Sequence, residues 1–313
     1  MRVYRHRADR LPSVIVLLVL TVQLSAFFLI DSLWLLAAVA LALLFFSAVP
    51  GSISHNHHHT PTFMRPWMNR IYEVVLFLET GVLPWAWTLH HNLGHHKHYL
   101  DQEKDPSPWK HADGRVMSRV YYDVIGALRI YPEVFAIGRR HPELLRRFKL
   151  WAVVSLTVLG VLLAIDPAKA LILFVAPMPL MYLGLLDNTY MQHSDLDTAS
   201  EFTASRNTTS RFYNLVSWNL GYHTAHHMKP NLHWSELPRL HEELRARIPA
   251  GMQCESVLLG DCRYRHSRDG IPPRNVLPVD AIQEIVDILP VPPVPVRRLP
   301  AVRRWRPRPA YTA

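Results

Sequence analysis

Four apolar blocks, residues 11–30, 33–49, 150–165 and 170–186, restrict this chain more than any other feature. Their lengths of 20, 17, 16 and 17 residues lie at or near the ~20 residues a helix needs to cross a hydrocarbon core. Backbone groups find no water there, so each block must satisfy its own as a helix. Asp31 and Ser32 alone join the first pair, and four residues from Asp166 to Lys169 join the second. Each pair therefore reads as a transmembrane hairpin. The first block is too long for the apolar core of a cleaved leader, and no small-residue cleavage site separates it from the second. Arg2, Arg5, Arg7 and Arg10 precede it, and Arg139, Arg140, Arg146, Arg147 and Lys149 precede the third block. Cationic loops stay on the cytoplasmic side, which puts both termini and the long central region there.

The expected fold is thus an all-α integral membrane protein: four transmembrane helices as two hairpins, with a cytosolic helical cap. Residues 1–10 form a basic cytosolic N-terminus, 11–250 the membrane domain and 251–289 a cytosolic C-terminal segment. The Pro/Arg-rich tail 290–313 is expected to be disordered. A fifth apolar stretch, 71–89, contains Glu73, Glu79, Gly81 and Pro84, which suit a spanning helix poorly. It is expected to lie in the interface as a partly inserted helix.

Half the residues are hydrophobic, yet the formal charge is +9. The apolar residues come in blocks, unlike the interleaved basic and aromatic pattern of a soluble nucleic-acid binder, so nucleic acid is not an expected partner. Two cysteines, Cys254 and Cys262, are too few for a disulfide framework or an iron–sulfur cluster held by four thiolates. Two free thiols in a reducing compartment are the expectation.

Nineteen histidines are present, and most fall into three short clusters. The first, "HNHHH", offers His55 and His59 at i and i+4, one face of a helix. The second, "HHNLGHHKH", contains His91, His95 and His96. The third, "YHTAHH", contains His223, His226 and His227, again within one face at i, i+3 and i+4. His193 follows the fourth block by seven residues. All lie on the side assigned to the cytoplasm, close to the ends of apolar segments or on the loop between hairpins. Imidazole suits zinc, copper, iron and nickel alike. So many donors exceed one tetrahedral zinc and suffice for two ions. The Glu-x-x-His motif of carboxylate-bridged di-iron bundles and the H-E-x-x-H motif of zinc proteases are both missing from the sequence.

"HNHHH", "HNLGHH" and "HTAHH" resemble the three histidine boxes of the membrane fatty acid desaturase family. The flanks "WTLHHNLGHHKHYLDQEKDP" and "NLGYHTAHHMKPNLHWSELPRLHEEL" extend the likeness over roughly residues 10 to 250. The resemblance implies two non-haem iron ions, dioxygen as co-substrate and removal of hydrogen from an unactivated acyl carbon. Its ligands would be His55, His59, His91, His95, His96, His193, His223, His226 and His227. His57, His58 and His90 stand beside assigned positions and remain alternative donors. Asn188 and Asn219 are candidates to orient a ligand or water. Trp85, Trp87, Trp109, Trp218 and Tyr222 are candidates for an acyl tunnel or an interfacial belt. The implied substrate is a membrane lipid or an acyl chain on a carrier. Two electrons must come from a separate ferredoxin-, rubredoxin- or cytochrome-like donor with its reductase, because no redox module is fused here.

Two rivals remain. A histidine-box hydroxylase or ketolase of a lipid or terpenoid chain shares the same metal chemistry. A metal transporter would need ionisable residues within its spans, and the four blocks contain almost none.

Overall fold

The computed structural model describes residues 2–46 and 48–255. Contacts divide the chain into Met1–Ile271 and Pro272–Ala313, and every described residue belongs to the first unit. The tail 290–313 and nearly all of 251–289 lie outside the described residues.

The unit is mostly helical. Its helices are α1 (Arg10–Leu29), α2 (Leu33–Phe46), α3 (Ala48–His59), α4 (Pro66–Thr80), α5 (Arg119–Arg140), α6 (Pro142–Ile165), α7 (Pro167–His193), α8 (Arg211–Val216), α9 (His223–Met228) and α10 (Leu237–Leu244). A π-helix, Thr88–His95, lies between α4 and α5, and the first turns of α7 include another, Leu171–Val175. Among the described residues, sheet is confined to a parallel pair that joins Asn207 to Gln253 and Thr208 to Cys254. Cys254 is disulfide-bonded, against the expectation of free thiols; Cys262 lies outside the described residues.

Among the described residues three helices are long and apolar enough to cross a membrane: Arg7–Leu29, Pro142–Ile165 and Pro167–His193. Only 33 %, 28 % and 28 % of their apolar windows are buried within the protein. Leu18, Leu29, Leu150 and Val153 are more than half exposed. Unpartnered apolar surface on that scale marks a membrane-facing or interaction surface. The block expected at 33–49 is represented by a shorter apolar helix, Leu33–Leu44. Lys169 Nζ donates to Asp31 Oδ1 at 2.8 Å, so the α1–α2 link and the start of α7 meet at one end of the bundle.

The helix expected over 71–89 has other bounds in the structure. The helix there is α4, which ends at Thr80 because Gly81 takes a left-handed conformation (φ 74°) and closes it with a bond to Phe77 O. A side chain at 81 would also press on Met178. Trp67 and Ile71 are exposed, but Tyr72, Val75 to Thr80 are buried where α4 packs against α1, α6 and α7. Its second half is therefore core. The main apolar cluster joins Phe27, Leu36, Phe77, Ile130, Phe148 and Phe174. It holds the helix ends that carry the histidines in fixed relation.

Candidate metal centre

The first box lies on α3, and helical spacing brings His55 and His59 to one face, ring centroids 4.8 Å apart. The intervening histidines turn elsewhere. His57 Nδ1 lies 2.9 Å from Thr62 Oγ1, and its Nε2 is 3.5 Å from the Glu73 carboxylate, which Arg70 also holds at 2.7 Å. His58 Nδ1 donates to Ser54 O at 2.6 Å.

The second box is wound as a π-helix, closed where His96 N–H donates to His91 O five residues back. An α-helix would put His91 over His95. The wider turn brings His91 over His96 instead, with Nε2 atoms 3.1 Å apart, and aims His95 elsewhere. Single π turns recur at functional sites for this kind of re-aiming. The coil packs closely: a Cβ on Gly94 would stand 2.6 Å from Pro106 and 2.8 Å from Ile137. His90 faces away, into a small pocket with Pro106, Tyr122 and Leu186.

The third box lies on α9, and its three histidines are divided. His223 and His227 meet His193, the last residue of α7, with Nε2 to Nε2 distances of 2.8 and 3.1 Å. His226 faces the other way, its ring 4.7 Å from that of His55 and 4.6 Å from those of His59 and His96. Just before α9, a side chain at 221 would collide with Thr208 O and the Asn214 amide; glycine alone lets the box approach the β-pair.

Two neighbouring groups result. His55, His59, His91, His96 and His226 form one; His95, His193 and His227 form the other, and within each group the candidate ligand atoms lie within 4.8 Å of one another. His223 joins the second through His193 and His227. The groups share a wall, where the His96 and His227 rings stack at 4.3 Å.

Hydrogen bonds behind the rings determine what the facing nitrogens can do. His95 Nδ1 lies 3.0 Å from both oxygens of Asp105, and His193 Nδ1 lies 2.9 Å from Ala204 O. Each partner only accepts, so each ring carries its proton on Nδ1. Their Nε2 atoms, 3.3 Å apart, then face the same group, where Nε2 of His223 and His227 also lie 2.8 and 3.1 Å from that of His193. So many ring nitrogens converging on one point is an arrangement that a cation stabilises. Nε2 of His59 and of His226 are buried without any hydrogen-bond partner, a costly state for a polar atom that metal coordination relieves. The donor set therefore fits metal ions. Burial holds the His55 imidazole down at about 3. Burial, then the neighbouring rings, keep His59, His91, His96, His223, His226 and His227 well below the usual range. Neutral imidazole is the metal-binding form.

The model of the fatty acid desaturase family matches residues 32–255, all three boxes included. The chain belongs to that family. No curated protein matches it closely enough to lend a narrower activity. Family membership makes this an oxidoreductase, and its histidine groups and apolar helices suit a membrane-associated, iron-using desaturase.

Other sequence candidates separate by position. Asn188 accepts from Tyr213 Oη at 2.8 Å and borders a small cavity that His55, His91 and His223 also line. Asn219 instead holds a turn: it has φ 66° and donates to Trp234 O at 3.1 Å. Trp87 lines the cavity beside the histidines. Trp85 is stacked between Arg70 and Arg147, Trp109 packs with Met117 and Tyr122, Trp218 meets Trp234, and Tyr222 meets His241.

Sequence reasoning missed Asp105. It stands ten residues beyond His95 in "DQEKDP", and only its carboxylate hinted at a role. Partners of this type orient a ligand ring and typically alter metal affinity 10–100-fold when removed. Asp105→Asn can present an N–H to His95 Nδ1 and so invert its tautomer. We expect iron affinity to fall by about 10–100-fold, measurable by chelator competition on purified protein; unchanged affinity would show that Asp105 does not orient His95.

Proposed function

We propose that this desaturase-family protein is a membrane-bound fatty acyl desaturase. Its reaction would be removal of two hydrogens from adjacent methylenes, coupled to dioxygen, two external electrons and two protons, yielding a C=C bond and two waters. His55, His59, His91, His96 and His226 would hold one iron, and His95, His193, His223 and His227 the other. The observation that carries this reading is the convergence of buried imidazoles from all three boxes and His193 into two neighbouring groups, the ligand atoms within each lying within 4.8 Å of one another. A redox metal pair would supply the C–H cleavage that no side-chain acid or base can perform. The chain's own residues would hold the imidazoles neutral, fix their tautomers through Asp105 and Ala204 O, and wall the acyl chain with Trp87, Leu185 and Leu220.

The proposed setting is four spans in two hairpins, with both termini and the histidines on the cytoplasmic face. The ion pair between Asp31 and Lys169 supports this arrangement, since hairpin tips would meet there, at the far end from the boxes. Electrons would come from a separate ferredoxin-, rubredoxin- or cytochrome-like protein and its reductase. The test is mass analysis of total acyl chains after incubation with dioxygen, donor and reductase. Loss of two hydrogens, dependent on the donor, is the expected result. A gain of oxygen would replace desaturation by hydroxylation or ketone formation on the same centre.

A further inference from the structure

Two cavities of similar size flank the histidine groups, and they differ in kind. One, of about 500 Å³, is lined by Arg70, Glu73, Asn92 and Lys97 and reaches His59 and His96. Charged and amide groups that lose their water to a methylene chain would go unpaired, so it does not suit an acyl tail. The other, of about 510 Å³, is lined mainly by Leu44, Leu180, Met181, Leu185, Val216 and Leu220; of its polar groups the one charge, Asp187, is already paired with Arg119. Leu185, Asn188 and Leu220 also line the small cavity at His55, His91 and His223. The apolar space thus leads to the proposed metal ligands.

Its outer side is what decides the substrate. Leu180 and Gly184 lie one turn apart on α7, both line the cavity, and both are exposed. A Cβ at Gly184 would meet nothing within 4 Å, so the missing side chain leaves a gap in that wall. Opposite stands α8, whose Tyr213 and Val216 line the cavity while Phe212 and Leu215 point outward, 58 % and 66 % exposed. Since α7 is a candidate membrane span, exposure along this part of it is exposure to hydrocarbon.

We infer that this cavity is loaded sideways from the bilayer, through the gap at Gly184 between α7 and α8, and that the occupant is the acyl chain of a membrane lipid. The inference rests on the proposed acyl oxidation and narrows it to bilayer-resident chains over chains delivered on a soluble carrier. Gly184 is then a specificity-determining position: bulk there closes the route without touching a metal ligand.

The test uses the full-length, iron-loaded protein in phosphatidylethanolamine–phosphatidylglycerol vesicles that contain a phospholipid with a diazirine in mid-chain. After photolysis, adducts are mapped by peptide mass analysis. Wild type is expected to carry adducts on the cavity-lining residues of α7 and α8 and on the outer faces of α1 and α6. Gly184→Trp should lose the cavity adducts while it keeps the outer-face adducts and its iron. Leu180→Trp, one turn away, should do the same, and Gly184→Ala should retain all of them. Cavity labelling that is absent in wild type, or equal in wild type and both tryptophan variants, would overturn lateral loading. Acyl mass is read on the same samples. Iron-loaded, cavity-labelled protein that leaves acyl mass unchanged in the presence of donor and dioxygen would overturn the proposed oxidation and leave the access route standing.

Discussion

His226→Ala is expected to abolish product formation and to release the iron of one histidine group while the helical fold survives. His226 is 2 % exposed, and its Nε2 has no hydrogen-bond partner among the described residues. It is the one third-box residue among His55, His59, His91 and His96. Alanine removes a donor from a group whose members come from three separate elements, and no nearby side chain can take its place. Partners that only orient a ligand alter affinity 10–100-fold, so removal of a ligand should exceed about 100-fold in activity. His98→Ala is the control: that histidine belongs to the second sequence cluster but to neither group, and it should keep its iron and activity. Iron determination and total acyl profiles measure both variants. Full activity in His226→Ala would remove it from the ligand set.

The gathering of the three boxes was legible because hydropathy and histidine spacing are both local properties. The apolar blocks place helix ends on one side, and chance would scatter the histidines. What escaped was the detail that packing decides. Hydropathy stops at residue 186, yet α7 runs on to His193; polar residues in those last turns hide a helix that tertiary contacts sustain. His193 is thus the end of a rigid span rather than a loop residue. The spacing of the second box is ambiguous between α and π winding, and only the π form brings His91 to His96 and sorts both from His95. Three histidines on one short helix suggested a single face; α9 divides them because two groups stand on either side of it. Inside the first box the i, i+4 spacing already pairs His55 with His59, but it does not say what His57 does instead. Glu73 and Thr62, brought in by α4 and its preceding loop, occupy His57. The stretch 71–89 misled for the same reason: its buried half has partners on α1, α6 and α7 that no window of sequence displays.

Acidification should destabilise this protein steeply, and histidines outside the proposed ligand set make the effect separable from metal loss. His90 is 7 % exposed, and burial chiefly holds its imidazole at about 4, against an ordinary value of 6.5. Between these two values the unfolded chain binds a proton that the folded chain refuses. The associated stability is complete above pH 6.5 and is lost as pH falls toward 4, at about 1.4 kcal/mol per pH unit and about 3 kcal/mol in all. Burial likewise lowers His57 to about 3 and His58 to about 4, so the same window holds further losses of the same sign. Against a total stability of about 5–15 kcal/mol, these few side chains account for a large share of what acid removes. Unfolding of the metal-free protein in detergent should therefore show a midpoint that drops steadily from pH 7 to pH 4.5. His90→Gln, which cannot take up the proton, should shallow that slope by close to one proton per molecule. Iron-loaded protein should show a steeper fall, because protons then compete with the metal for the same nitrogens. A midpoint that stays level across this range would mean that these imidazoles exchange protons freely with water, which the enclosed, neutral histidine groups forbid.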